Sequence, residues 1–166
     1  VSILDRVIAD AEMEEIRTGY ETYLSFDEET QETVFDNTVM ISNKADATSA
    51  QKFTAHAYVG EIDVIIASES VLKSYAGTYL RPLSDQLPAD LYEAVSELFC
   101  YAVPYDEDGN PGKEEPYGIY VTDLVEEAAY CKEPIALAIC GNSKQQKNGE
   151  EFVRYLLERG MEAAEE

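Results

Sequence analysis

The stretch "EIDVIIASES", residues 61–70, constrains the fold more than any other part of the chain. From Ile62 to Ala67 it has almost no alternation of polar and apolar residues. A strand so apolar is buried on both faces, the usual condition of a parallel sheet covered by helices. The segment before it, "QKFTAHAYV", reads as a helix. Thr48 and Gln51 fit a capping box at its start, and Gly60 suits the position just past its end. The segment after it turns at Ser68-Glu69-Ser70 into a helix that runs to about Ala76 and stops at Gly77. Ile62 to Ala67 is therefore expected to be a central parallel strand.

The rest of the chain continues the pattern. Val1 to Leu4 reads as a short first or edge strand. Asp10 suits an N-cap for "AEMEEIRTGYETYL", where Met13, Ile16, Tyr20 and Leu24 share a face. "TVFDNTVMIS" is rich in β-branched residues and reads as a strand. "PADLYEAVSELF" reads as a helix. "FCYAVPY" and "YGIYVTD" read as two strands around the turn-forming "DEDGNPGKEEP". "EPIALAICGNS" holds another buried strand. Asn148 with Glu151 resembles a capping box opening "EEFVRYLLERG", and the end, residues 160–166, reads as a frayed acidic tail. Strands alternating with helices predict a single α/β domain over residues 1–166. The expected form is a three-layer sandwich with a mainly parallel sheet flanked by helices, plus a β-hairpin region.

Charge narrows the function. The chain has 166 residues and a net charge of −22. Such a surface repels phosphate backbones and anionic lipid, so no nucleic-acid partner is expected. No apolar run reaches the ~20 residues of a membrane span. The chain opens on Val1 and not Met, the mark of a processed piece, which leaves room for a removed signal peptide or membrane anchor. Cys100, Cys131 and Cys140 are too few and too irregular for a disulfide scaffold, and no CxxC occurs. With His56 the only histidine, no zinc site is expected.

The order of several motifs resembles the extracellular solute-binding proteins that serve ABC importers, of the type II periplasmic-binding-protein kind. The small-residue helix Ala55 to Gly60, the strand opening on Asp63-Val64, and "YLRPLSDQL" follow that family's order. "LFCYAVPYDEDGN" is similar to its "y-a-l-P-y-d" strand, and "LAICGNSKQQKNGEEFVRYLLE" to its closing strand, "SK" turn and final helix. The resemblance implies a non-catalytic, extracytoplasmic protein without a cofactor, whose partner is a small polar solute. It also implies that the loop Ser68-Glu69-Ser70 lines a solute cleft. The departure is length. About forty residues separate "PLSDQLP" from the closing strand, fewer than the ~50 an independent second lobe needs. The chain thus resembles one lobe alone. A protein-interaction module, whose face replaces the missing lobe, is the alternative.

Among candidate sites, Ser68, Glu69 and Ser70 follow a strand's carboxyl end, where open α/β sheets bind ligands. Glu69 would repel an anion, so a neutral or cationic solute fits better. The competing reading is that Ser68 or Ser70 simply caps the next helix. "DEDGNPGKEE" spaces Asp106, Asp108 and Asn110 like a calcium loop. Pro111 in the glycine position and Tyr117 in the twelfth break the pattern. "CGNS" lacks the glycine of a nucleophile elbow. Asp5, Asp10 and Asp36 lie near strand ends but carry no paired-carboxylate signal in so acidic a chain. Tyr101, Tyr105, Tyr117 and Tyr120 gather in the hairpin region, a composition suited to recognition surfaces. No catalytic residue and no metal ligand emerge.

Overall fold

A computed structural model describes residues 1–27, 29, 31–41, 47–121 and 132–165. In chain order its elements are β1 (Ser2–Ile3), α1 (Asp10–Tyr23), α2 (Ala47–Tyr58), β2 (Val64–Ser68), α3 (Glu69–Ser74), α4 (Ala89–Ala94), β3 (Phe99–Ala102), β4 (Glu115–Tyr120), β5 (Ile135–Ile139) and α5 (Gln146–Glu165). The strands form one five-stranded sheet in the order β1-β2-β5-β4-β3.

The sheet is mixed and mostly antiparallel, which corrects the expectation of a mainly parallel one. Among the five described strands, only β1 and β2 pair in parallel. β5 inserts between β2 and β4 and runs against both, and β3 runs against β4. The physical reason lies in what an apolar run reports. It shows that both faces are covered, and an antiparallel strand between helices meets that condition as well as a parallel one. The two hairpin strands pair as expected, with a bulge between Cys100 and Tyr101, but β3 stops at Ala102, β4 starts at Glu115 inside the expected turn, and both complete the same sheet.

Helices cover both faces. One face carries Val64, Ile66, Ile119, Ile135, Leu137 and Ile139, packed against α1, α4 and α5 through Ile16, Leu91, Phe152 and Leu156. The other carries Ile65, Ala67, Cys100, Ala136, Ala138 and Cys140, packed against α2 and α3 through Phe53, Ala57 and Leu72. The sequence "IALAIC" therefore alternates after all, large residues to one side and small to the other. The small side lets α3 approach closely. A Cβ on Gly118 would lie 2.8 Å from Leu137 O and 3.1 Å from a Leu72 methyl. Each large side chain removed from water stabilises the fold by about 1.5–3 kcal/mol.

Several boundaries differ from expectation. Of the expected strand 33–42, Ser42 lies outside the described residues, and 33–41 form one parallel bridge, Ser2 to Asp36, supported by Ile3 N donating to Asp36 O (2.7 Å) and Asp5 N to Val39 O (2.8 Å). Ala47 is already helical, so Thr48 lies inside α2 and not at its cap. α1 begins at Asp10, with Ala9 in the cap position. α5 begins two residues before Asn148 and runs to Glu165, taking in residues 160–165 of the acidic end.

Candidate functional site

At the carboxyl end of β2 the chain enters α3 with no intervening loop. Ser68 occupies the N-cap position in extended conformation, yet its side chain makes no capping hydrogen bond. The free N–H groups of the first turn find partners across the sheet. Glu69 N donates to Pro134 O (2.9 Å), and Ser70 N reaches Glu133 Oε2 (3.4 Å). The Ser70 hydroxyl donates to the same carboxylate oxygen (2.6 Å). The expected serine cap is thus corrected. The groups that must be satisfied at a helix start are served by Glu133 and Pro134, brought alongside by the Ser68–Ile135 register.

Glu69 is also committed. Its carboxylate pairs with Lys73 one turn on. That hydrogen bond, helped by one from Tyr120, holds the carboxyl below the usual range. Tyr120 in turn meets the thiol of Cys100, and burial pushes that thiol up. Ser68, Glu69 and Ser70 are brought together as the sequence suggests, but as a corner whose polar groups are largely used by the fold. The 430, 190 and 270 Å³ concavities of the surface are lined by none of the three.

The remaining candidates are mostly structural. Asp106 accepts from Asp108 N (3.0 Å), Asn110 N (2.8 Å) and the Asn110 amide (2.9 Å), which depresses its pKa and fills its oxygens. Asp10 accepts from the Asn37 amide (2.6 Å), and Asp36 from the N–H and hydroxyl of Thr38 (2.8 and 2.6 Å). Asp5 sits at φ 55° in the short helical turn after β1. His56 lies at the exposed end of α2, 2.7 Å from Glu61. Cys100 and Cys140 are buried and unpaired, and burial pushes Cys140 up to about 12, so neither is a thiolate at neutral pH. Cys131 lies outside the described residues. Of the four tyrosines, Tyr117 is buried and Tyr101 and Tyr105 are exposed. Among the described residues no cluster of three or more His, Cys, Asp or Glu could hold a metal ion, and no helix is long and apolar enough to cross a membrane.

Sequence reasoning passed over the other end of the β2–β5 pair. Asp63, just before β2, binds the Ser143 hydroxyl and the Asn148 amide (3.1 Å), and so latches the turn that leads into α5. On the opposite face a concavity of about 270 Å³ lies between residues 77–82 and Gly141-Asn142, with Tyr117 behind it. Arg81 lies across it. The only sequence signal for it was a glycine after each of two elements, Gly77 and Gly141. Comparison with protein-family models, curated proteins and solved structures gives no match for the chain.

Proposed function

We propose that this chain is a non-catalytic extracytoplasmic domain organised as one lobe of a solute-binding protein, presenting one edge of its sheet to a small polar solute. The observation that carries this reading is the common direction of three neighbours. The 34–39 segment, β1 and β2 run in parallel, joined by α1 and α2, and all end on one edge. Ligands of open α/β sheets bind outside such ends. Glu69 and Glu133 on the rim favour a neutral or cationic solute over an anion. A second wall would come from another chain.

The test is a thermal-shift series with neutral sugars, neutral and basic amino acids, and short peptides. One class should raise the melting temperature with concentration. A flat response to every class would remove the reading.

One observation favours a second reading, a protein-interaction module. Tyr101 on the edge strand β3, its ring edge-on to Phe99, and Tyr105 beyond it are 47% and 65% exposed. Self-association that falls when both are replaced by serine, measured by light scattering across concentration, would support this reading over the first.

A further inference from the structure

We infer that the concavity beside Gly141 is a binding site for a small organic monocarboxylate, with Arg81 as the group that takes the carboxylate. The inference stands on its own geometry and does not depend on the solute reading above. In a chain with 34 acidic and 12 basic residues, each arginine should find a carboxylate. Arg17 binds Glu14 and Glu21, Arg154 binds Asp90 and Glu150, and Arg159 binds Glu15. Among the arginines whose side chains are described, Arg81 alone makes no ion pair.

Arg81 is exposed, but its backbone is fixed and its stem is seated. The backbone carbonyl of Arg81 accepts from the Gln86 amide (2.9 Å), and Gly141 N donates to the neighbouring Tyr79 O (2.8 Å). The aliphatic stem lies against Gly141 so closely that a Cβ there would fall 2.7 Å from Arg81 Cδ. A guanidinium held by its stem with its donors unused suits a planar anion, which it can grip through two parallel hydrogen bonds. Leu80, Pro82 and Tyr117 give the concavity an apolar part for a ligand's hydrocarbon body. Its volume of about 270 Å³ suits a small molecule.

The charge of the ligand follows from the surroundings. Among the described residues no second base lines the concavity, burial raises the pKa of Tyr117 with smaller contributions from Glu115 and Asp85 nearby, and the chain as a whole carries −22. One guanidinium in that field compensates a single negative charge and leaves a second uncompensated. A monocarboxylate is therefore preferred over a phosphate.

The experiment is a titration of ¹⁵N-labelled protein with sodium benzoate, with sodium chloride at matched ionic strength and inorganic phosphate at pH 7 as separate arms. Benzoate should give saturable shifts at Arg81 Nε and at the amides of Gly77, Gly141 and Asn142, with Arg17 and Arg159 Nε unmoved. Arg81→Gln should weaken binding at least about tenfold, and Gly141→Ala, which keeps the charge but displaces the stem, several-fold. Thermal melts of both variants confirm that they are folded. The same shifts with chloride, tighter binding of phosphate than of benzoate, or benzoate binding that survives Arg81→Gln would each overturn the proposal.

Discussion

The β2–β5 ladder has two ends, and the fold treats them differently. At one, Ser68-Glu69-Ser70 turns into α3 beneath Glu133 and Pro134, which lead into β5. Serine hydroxyl, helix N–H groups, glutamate and lysine are all present, as a binding site would want, and nearly all are already paired. At the other end, Gly141 leads out of β5 and carries the stem of Arg81, whose guanidinium is unpaired. Residue type made the first end look like a site. Unused hydrogen-bonding capacity singles out the second.

The two ends depend on β2 alike, so the largest expected effect abolishes both. Ile65 is fully buried at the centre of β2. Ile65→Asp places an unpaired charge there at a cost of several kcal/mol, a large share of the ~5–15 kcal/mol total, and circular dichroism should show no cooperative melt. Next is Leu72→Ala, which removes the side chain that seats α3 on the small-residue face. It should cost about 2–5 kcal/mol in urea denaturation and loosen the Ser68 corner more than the Gly141 end.

Acid separates the ends by a smaller margin. Glu69 is held below its usual 4.5 by Lys73, and Asp90 below 3.8 by Arg154. Depressed carboxylates stabilise fully above their unfolded pKa and lose that contribution as pH falls through the lower folded value. Relief of self-repulsion works the other way between pH 7 and the pI of 4.1. The melting temperature should therefore rise modestly from pH 7 to about 5 and fall below about 4. Glu69→Ala should flatten part of that acid limb. At pH 7 the same variant should cost under about 1 kcal/mol, since its pair with Lys73 is partly exposed. Smallest of all, Arg81→Gln should leave stability within about 0.5 kcal/mol of the parent, because no ion pair is lost.

Much of this architecture can be read from local sequence. β2, the hairpin strands and β5 lie where apolar runs put them, and Gly60 and Gly77 end their segments at φ 73° and 78°. Strand direction cannot be read that way, because "IDVIIAS" and "IALAIC" record covered faces and say nothing of which neighbour runs which way. Nor can the partner of Ser70, since Glu133 stands 63 residues away and only the β2–β5 register brings it near. Arg81 is hidden for a related reason. Asp85 stands four residues on, a helical pairing distance, but Pro82 and the 3-10 turn at Leu83–Asp85 remove the helix that would join them. Functional potential here depends on which groups the tertiary structure leaves unpaired.

The claim that the Ser68 corner is closed by its own residues is tested most directly by a double-mutant cycle on Ser70 and Glu133. Urea denaturation would be measured for Ser70→Ala, Glu133→Gln, the double variant and the parent. The hydrogen bond at 2.6 Å, made to a charged acceptor at the surface, should appear as a coupling of about 0.5–1.5 kcal/mol. A coupling indistinguishable from zero would mean that Glu133 does not close the corner, and that Ser70 is as free to meet a ligand as Arg81.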